Sequence, residues 1–248
     1  MAKKIRADQL AFEQGLAESR ERAKRLVMAG QILLVTGNGL TEPVAKPGQQ
    51  LSPEAELLLK QAPRFVSRGG EKLATAIDAF SLDVAGHVCL DAGASTGGFV
   101  DCLLQNGAAR VYAVDVGKNQ LHEKLLQDGR VIAMDGVNLR YAPPELLPEG
   151  VDLIVADLSF ISLTMALPGI AGFLRPGGAI VTLIKPQFEV GPGRTDKGVV
   201  RDEALRDETV QGVLTWAESR GLQVQGCVPS RIKGPKGNQE YLAHLILP

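Results

Sequence analysis

The sequence feature that most constrains the fold is a regular alternation of short apolar segments with helical segments from residue 84 onward. Strands are predicted at residues 87–91, 111–115, 131–134, 151–156 and 179–185. Helices are predicted at residues 98–106, 119–128, 162–174 and 201–220. Such alternation is typical of a doubly wound α/β domain, in which helices cover both faces of a parallel sheet.

The end of the chain predicts one departure from the parallel arrangement. Two further strands are predicted at residues 222–229 and 240–247, with only the turn Gly234-Pro-Lys-Gly-Asn238 between them. Because so short a connection reverses the chain, the last strand must run antiparallel to its predecessor. We therefore expect a mostly parallel seven-stranded sheet whose last strand is antiparallel.

The beginning of the chain follows a different pattern. Apolar spacing and glycine stops predict two helices, a strand, a turn and a returning segment, at residues 6–14, 18–29, 31–35, 36–39 and 44–50. These elements make a small α+β domain. We predict three regions: this domain at 1–62, a linker and first helix of the next domain at 63–83, and the large α/β domain at 84–248.

Composition narrows the class of protein. The 248 residues are 45% hydrophobic and 22% charged, as in ordinary globular proteins. No apolar run approaches the roughly 18–20 residues that span a bilayer, and the basic start leads into no hydrophobic signal core. The three cysteines, Cys89, Cys102 and Cys227, form no CxxC pair, so we expect neither a disulfide framework nor a metal site. A cytoplasmic location is expected.

Ionisable residues mark the ends of the first five predicted strands of the large domain. They are Asp91, Asp115, Asp135, Asp157 and Lys185. In a doubly wound sheet, ligands bind beyond the carboxyl ends of the strands. Any one aspartate could simply cap the following turn or helix, but five ionisable residues at five equivalent places indicate a site.

The loop after the first strand of this domain has the composition of a ligand-binding loop. It reads DAGASTGG from Asp91, and its glycines let the backbone approach a ligand at the start of a helix. NAD is one possible ligand, since Asp115 lies at about the spacing of a ribose-binding acid. The loop is not GxGxxG, however, and Asp91 would repel a pyrophosphate while attracting a cation. This favours S-adenosyl-L-methionine.

Three segments around these strand ends resemble one family. Residues 91–99 (DAGASTGGF), 157–163 (DLSFISL) and 184–189 (IKPQFE) resemble the TlyA family of rRNA 2′-O-methyltransferases, which have an FtsJ-like catalytic domain. Residues 15–24 with 28–30 resemble that family's S-four-type RNA-binding motif, and residues 67–72 (SRGGEK) resemble its interdomain segment. The resemblance covers nearly the whole chain and implies a Rossmann-like methyltransferase fold.

The resemblance also implies a catalytic group of Lys72, Asp157, Lys185 and Glu240. Methylation of a ribose hydroxyl requires alignment of the oxygen with the methyl group and removal of the hydroxyl proton. Our hypothesis is that Lys185 is the base, Lys72 orients the hydroxyl or stabilises the developing alkoxide charge, and the two carboxylates position the lysines. Taken singly, Lys72 could be a solvated helix residue, Glu240 an edge-strand charge, and Asp157 part of a simple turn.

For the cofactor, we expect the glycine loop to bind the methionine end, Asp115 to accept from the ribose hydroxyls, and Asp135 to meet the adenine amino group. The predicted cofactor-binding residues are Asp91, Gly93, Ser95, Thr96, Gly97, Gly98, Asp115, Val116 and Asp135.

Charge is unevenly distributed and favours RNA contact by the N-terminal region. Residues 1–72 carry twelve Lys and Arg against eight Asp and Glu, although the whole chain has a net charge of −1. Intervening glutamates also allow a merely solvated helix face. The predicted RNA-binding residues are Arg6, Arg20, Arg22, Lys24, Arg25, Arg68, Arg194 and Lys197.

The resemblance implies a ribosomal RNA or ribosomal subunit as partner, with a cytidine of large-subunit (23S) rRNA as the target. We predict no membrane association and no stable protein partner. Two other classes of function stay open. One is a haemolysin, although no amphipathic basic helix supports it. The other is an RNA-binding assembly factor that has lost catalysis, against which the complete set of four catalytic-type residues speaks.

Overall fold

The computed structural model describes residues 4–60 and 63–248. The chain divides into two compact units, Met1–Ala62 and Pro63–Pro248. The predicted end of the small domain, at residues 61 and 62, lies outside the described residues. Within the described ranges, no helix combines the length and apolar character needed to cross a membrane.

The N-terminal unit packs two helices with short antiparallel strands. Its elements are β1 (Ile5–Arg6), α1 (Ala7–Glu13), α2 (Arg20–Met28), β2 (Ile32–Val35), β3 (Thr41–Pro43), β4 (Gln50–Leu51) and β5 (Leu57–Leu59). Helix α2 begins where the Ser19 side chain accepts a hydrogen bond from the backbone N–H of Arg22, which is the usual role of serine at a helix start. Strand β2 is central, between β3 and β5, and β1 pairs with β4. A small core that includes Leu10, Leu26 and Ile32 holds the unit together.

The prediction of a returning segment at residues 44–50 is wrong for most of its length. The strand that returns along β2 is β3, at Thr41–Pro43, and residues 44–49 are irregular. The turn closes early because the Thr36 hydroxyl bonds to both Asn38 and the carbonyl of Leu40. Strands β1, β4 and β5 were not predicted, since two or three residues are too few to show a two-residue period.

The C-terminal unit is a three-layered α/β domain. Its helices are α3 (Gly69–Phe80), α4 (Gly98–Gln105), α5 (Glu123–Leu126), α6 (Leu163–Ala171), α7 (Pro186–Glu189) and α8 (Glu203–Ser219). Its strands are β6 (Val88–Ala92), β7 (Arg110–Asp115), β8 (Val131–Asp135), β9 (Val151–Ala156), β10 (Leu174–Ile184), β11 (Gln223–Pro229) and β12 (Tyr241–Ile246). They form one sheet in the order β11-β12-β10-β9-β6-β7-β8.

The sheet confirms the predicted fold class. Strand β6 pairs in parallel with both β7 and β9, and β10 pairs in parallel with β9. Strand β12 runs antiparallel to β10 and β11, as the short connection before it requires. The chain leaves β6 toward β7 on one side and returns to β9 on the other, which opens a crevice at the carboxyl ends of β6 and β9.

Apolar side chains on both faces explain why the strands are continuous hydrophobic runs. Cys89 and Leu90 are adjacent in β6 and both fully buried, but they belong to cores on opposite faces of the sheet. Leu153 and Ile154 of β9 divide in the same way. A parallel sheet covered by helices on both sides has this pattern, and its rigid strands fix the backbone from which the strand-end residues project.

Two predicted elements differ in extent. The helix predicted at 119–128 is only α5, Glu123–Leu126, because Asn119 has φ of +54° and the chain up to His122 is irregular. The strand predicted at 179–185 begins earlier, at Leu174, with a shift in its register against β9 before Ala179.

Candidate active site

The four residues of the predicted catalytic group lie together in a row of ion pairs. Lys185 Nζ is 2.6 Å from Asp157 Oδ1, and Lys72 Nζ is 3.6 Å from Asp157 Oδ2. Lys72 Nζ is also 2.6 Å from Glu240 Oε2. The order is therefore Lys185, Asp157, Lys72, Glu240, with cations and carboxylates alternating. Two lysines and two carboxylates balance in charge, which offsets part of the cost of their burial.

Lys185 and Asp157 come from neighbouring parallel strands. Asp157 follows the end of β9 and Lys185 follows the end of β10, so the sheet places their backbones side by side. Pro186 ends the strand and begins α7 directly after Lys185. The Lys185 side chain is only 9% exposed, and its Nζ also donates to Ser159 Oγ at 2.8 Å. The sequence did not predict the contact with Ser159.

Lys72 is carried by the first turn of α3. Its side chain is 11% exposed, which rules out the alternative of a solvated helix residue. The segment that leads into α3 is fixed where the Val66 backbone N–H donates to Asp101 Oδ2 at 2.8 Å. Because Asp101 belongs to α4, the helix that follows the glycine loop, the placement of Lys72 depends on that loop.

Glu240 is fully buried, directly before β12. Since β12 lies between β10 and β11, the alternative of an edge-strand charge is wrong. The backbone of Gly234 passes so close that a Cβ there would lie 2.0 Å from Glu240 Oε1. Any larger residue at position 234 would displace the carboxylate, or itself, from the row of ion pairs.

Asp91 ends β6 beneath this row and is also fully buried. Neither carboxylate oxygen forms a hydrogen bond of normal geometry to a described residue. Burial raises the pKa of Asp91 well above its usual value and the charge of Asp157 adds to this rise, while the Val100 N–H opposes it. A buried carboxyl group that lacks a cationic partner is the feature expected where a cationic ligand is to bind.

Two adjoining cavities run along the carboxyl ends of the strands. One, of about 330 Å³, is lined by the ion-paired residues Lys72, Asp157 and Lys185 together with Asp91. The other, of about 530 Å³, is lined mainly by apolar side chains and by Asp115. Gly93, Ser95, Asp157 and Ser159 line both. A ligand with a charged end and a larger apolar end therefore fits across the two.

Most of the predicted cofactor-binding residues line these cavities. Gly93, Ser95, Thr96 and Gly98 line the first cavity, and Asp115 and Val116 line the second. Gly97 does not line either: it begins α4 with φ of +93°, and a Cβ there would lie 2.2 Å from Leu125. Its glycine is required by backbone conformation and by packing against α5.

The acidic residues at the ends of β7 and β8 have different surroundings. Asp115 accepts backbone hydrogen bonds from Ser95 at 2.8 Å and Gly117 at 2.7 Å, which ties the glycine loop to β7. Asp135 accepts from the Asn119 N–H at 2.7 Å and does not line either cavity. Residues 137–139, which were not predicted, line the second cavity beyond the end of β8. They carry no motif, so only the sheet geometry identifies them.

The predicted RNA-binding residues of the N-terminal unit are solvent-exposed. Arg22, Lys24 and Arg25 are exposed on α2. Arg6 and Arg20 lie around the buried Asp8: Arg6 makes a two-pronged contact with the carboxylate, at 3.0 and 2.8 Å, and Arg20 Nη2 is 3.6 Å away. This gives the unit a cationic surface.

The three predicted RNA-binding residues of the C-terminal unit lie on two segments. Arg68 lines the first cavity, beside the ion-paired group. Arg194 and Lys197 are exposed in the loop after α7, where Arg194 faces Glu208 at 3.7 Å. Two further residues beside the site were not predicted: Lys233, which lines the first cavity, and Phe160, which is 90% exposed and lines the second.

Comparison with known proteins identifies the family. The family model described as FtsJ-like methyltransferase matches residues 65–246. A relative from Mycobacterium tuberculosis, named 16S/23S rRNA (cytidine-2′-O)-methyltransferase TlyA, is 44% identical over 99% of this chain and 91% of its own length. The chain belongs to the TlyA family of FtsJ-like methyltransferases. The resemblance drawn from its motifs is thereby confirmed, and so is the prediction of an enzyme.

Solved structures agree with membership of the TlyA family. A haemolysin-named protein from Streptococcus thermophilus is 46% identical, with a TM-score of 0.74, and covers 100% of this chain and 90% of its own. The N-methyltransferase NodS from Bradyrhizobium japonicum, solved in complex with S-adenosyl-L-homocysteine, is 17% identical with a TM-score of 0.52 over 73% of this chain and 87% of its own. The second likeness supports the methyltransferase fold alone.

Proposed function

We propose that this TlyA-family methyltransferase transfers a methyl group from S-adenosylmethionine to a ribose 2′-hydroxyl of ribosomal RNA, with a cytidine of 23S rRNA as its target. The observation that carries the proposal is the row Lys185, Asp157, Lys72, Glu240, whose first three members line the same cavity as the buried Asp91. The name of the M. tuberculosis relative supports the substrate class.

The residues present fit S-adenosylmethionine, whose sulfonium supplies an electrophilic methyl group. Asp91, which has no other partner of normal geometry, would balance the positive charge of the ligand's methionine end. Backbone of the glycine loop would hold that end, and Asp115 would accept from the ribose. The apolar wall that includes Val116 and Leu139 suits an adenine ring.

The chemistry assigned to the row follows from which groups can move a proton. Lys185 would accept the proton of the 2′-hydroxyl as the ribose oxygen takes the methyl group, which bound S-adenosylmethionine would supply with S-adenosylhomocysteine as the leaving group. Lys72 donates a hydrogen bond to the same oxygen and steadies its developing charge. Asp157 and Glu240 hold the two lysine side chains in place, since each carboxylate lies 2.6 Å from a lysine Nζ.

RNA is the substrate class that the surfaces of the two units favour, each taken separately. The N-terminal unit exposes the cations of α2, which would bind phosphates. In the C-terminal unit, Arg68, Lys233 and the exposed ring of Phe160 border the cavities. Cations that contact phosphates beside an aromatic face for stacking are typical of sites that bind unpaired nucleotides.

The test is transfer of a labelled methyl group from S-adenosylmethionine to purified large and small ribosomal subunits, followed by digestion to nucleosides. The wild type should yield labelled 2′-O-methylcytidine from the large subunit. Lys185→Ala should lower the rate by about 10²–10⁴-fold, the usual contribution of a general base, and should still bind S-adenosylhomocysteine. Lys118→Ala, which removes an exposed lysine that lines neither cavity, is the matched control.

The possible results separate the parts of the proposal. Label in the small subunit, or in another 2′-O-methylnucleoside, would show that the proposed target nucleotide is wrong, but the assignment of the reaction as ribose methylation would stand. Unchanged turnover in Lys185→Ala would overturn the assignment of the base. If the wild type transfers no label to either subunit, the rRNA substrate is wrong, and absence of S-adenosylhomocysteine binding would also overturn the cofactor.

A further inference from the structure

Glu189 lies outside the row of ion pairs but joins the two segments that carry Asp157 and Lys185. It ends the one-turn helix α7, which starts directly after Lys185. Its Oε2 accepts a hydrogen bond from Ser162 Oγ at 2.6 Å, and its Oε1 accepts from the Leu163 N–H at 2.8 Å. Ser162 and Leu163 begin α6, at the end of the segment that follows Asp157.

These contacts join the segments 157–163 and 185–189 at both of their ends. At one end, Lys185 and Asp157 are joined by their ion pair of 2.6 Å. At the other end, Glu189 is joined to Ser162 and Leu163. The residues between Asp157 and Ser162 are irregular and include Ser159, the second partner of Lys185. Leu158 and Ile161 of this irregular segment pack against the core, and the contact at Glu189 fixes its far end to α7.

Further observations bear on the contact between Glu189 and the start of α6. Phe160, in the middle of the segment, has φ of +64°, a conformation that costs a non-glycine residue energy and persists only where its surroundings impose it. Burial raises the pKa of Glu189, and the hydrogen bonds from Ser162 and Leu163 oppose that rise. A carboxylate at the first turn of α6 also interacts favourably with the helix dipole.

We propose that Glu189 is a positioning residue for methyl transfer, which sets the distance of Lys185 from Asp157 and Ser159 by tying α7 to the start of α6. The inference rests on the proposed function, because it assigns Lys185 to the reaction. It adds a residue that touches neither cofactor nor RNA. Its effect should therefore appear in kcat and in the environment of Lys185, and not in the binding of cofactor.

The experiment compares Glu189→Ala with Glu189→Gln in the full-length protein. A glutamine keeps an oxygen that can accept from Leu163 and places an amide N–H toward Ser162, so it should preserve the tie, whereas alanine removes it. Glu208→Gln is the control, since Glu208 lines the same shallow cavity as Glu189 but its side chain is 71% exposed. Binding of S-adenosylhomocysteine, measured by calorimetry, monitors the fold of each variant.

Two readouts are measured on each variant. The first is the rate of methyl transfer to ribosomal subunits, divided into kcat and KM. The second is the rate at which acetic anhydride acetylates Lys185, followed by peptide mass spectrometry, which needs no RNA. We expect Glu189→Ala to lower kcat by about tenfold to a hundredfold, the scale of a small misplacement of reacting groups. Its KM for S-adenosylmethionine should stay near the wild-type value, and Lys185 should be acetylated several-fold faster.

Glu189→Gln and Glu208→Gln should match the wild type in both readouts. The proposal is overturned if Glu189→Ala also matches the wild type, if the glutamine and alanine variants lose activity equally, or if Glu189→Ala no longer binds S-adenosylhomocysteine. If the wild-type protein methylates no RNA, the proposed function fails by itself. The acetylation rates still decide whether Glu189 positions Lys185.

Discussion

The N-terminal and C-terminal units both surround carboxylates with cations, but only the C-terminal unit also buries the cations. In the N-terminal unit the Asp8 carboxylate is 3% exposed, while the side chains of Arg6 and Arg20 are 45% and 50% exposed. In the C-terminal unit the lysines are themselves buried: the side chains of Lys72 and Lys185 are 11% and 9% exposed. The N-terminal unit therefore exposes its positive charge to solvent, whereas the C-terminal unit buries the charge of these two lysines.

The difference teaches what each arrangement can do. Exposed arginines around one carboxylate still have N–H groups free to bind a polyanion. Their contribution to the binding free energy is electrostatic and decreases with salt concentration. Buried lysines are committed to a single geometry, because moving either ammonium group away from its carboxylate leaves a buried charge uncompensated. We therefore expect the C-terminal unit to be sensitive to small shape changes and the N-terminal unit to respond to charge.

The largest effect should come from Gly234→Ala, which changes shape in the C-terminal unit and no charge. A Cβ at this position would lie 2.0 Å from Glu240 Oε1, so either the carboxylate or the backbone at residue 234, which lines the first cavity, must move. We expect methyl transfer to fall by about a hundredfold or more, since small displacements of aligned groups have effects of that size. Steady-state kinetics with ribosomal subunits measures the loss.

A matched substitution tests whether the shape change is responsible. Gly212→Ala adds the same methyl group in α8, where nothing lies within 4 Å of the new Cβ, and should leave turnover unchanged. Wild-type turnover in Gly234→Ala would mean that Glu240 is not held as tightly as its burial indicates.

The next effect concerns Asp91, whose buried carboxyl group the proposed function pairs with a cationic ligand. Asp91→Asn should weaken S-adenosylhomocysteine binding by about thirtyfold or more at the pH where the wild type binds best, because loss of one partner of a buried charge pair costs about 2–5 kcal/mol. Calorimetry measures the affinity, and thermal unfolding without ligand monitors the fold.

The pH dependence gives a sharper version of the same prediction. Since burial raises the pKa of Asp91 in the free protein, the group is neutral at low pH and must lose its proton to balance a cation. Affinity in the wild type should therefore increase with pH until Asp91 is ionised in the free protein, and binding should release a proton. Asp91→Asn should lack this part of the dependence. The same pH profile in both proteins would show that another group is responsible.

The C-terminal sheet was predictable because its strands are strongly patterned. Buried runs between helices, with ionisable residues at their ends, predicted the sheet and brought Asp157 and Lys185 to one edge. The contacts that hold the site together were not predictable in this way. Gly234 and Glu240 lie six positions apart along the chain, but their contact depends on how the loop before β12 folds.

The N-terminal unit was predicted less well, for a physical reason. Its helices α1 and α2 show an apolar period and end near glycines, so both were found. Its strands have two to four residues, and their pairing is decided by turns such as the one at Thr36. The role of Asp8 was also missed, because a carboxylate two residues after Arg6 indicates nothing about burial until the helix is packed.

Removal of exposed charge should have a moderate effect on RNA binding and none on cofactor binding. Arg22→Ala combined with Arg25→Ala removes two exposed cations of α2 that make no ion pair with the described residues. If both contact phosphates, the slope of log affinity against log salt should decrease by about one for each. Filter binding of rRNA fragments across salt concentrations measures this slope. An unchanged slope would place the RNA elsewhere.

The smallest effect, from Asp8→Asn, decides between charge and geometry in the N-terminal unit. The substitution makes the surface more positive, so a purely electrostatic surface would bind RNA more tightly. Asp8 also fixes the guanidinium of Arg6 through two hydrogen bonds, and Arg6 holds the pKa of Asp8 below its usual value.

We expect Asp8→Asn to weaken RNA binding a few-fold, because an arginine held in one orientation loses less freedom for each phosphate contact than a mobile one. Arg6→Lys, which keeps the charge but not the two-pronged contact, should weaken binding by a similar factor. Tighter binding in Asp8→Asn would show that charge alone governs this unit. The contrast with the geometry-dependent lysines of the C-terminal unit would then be complete.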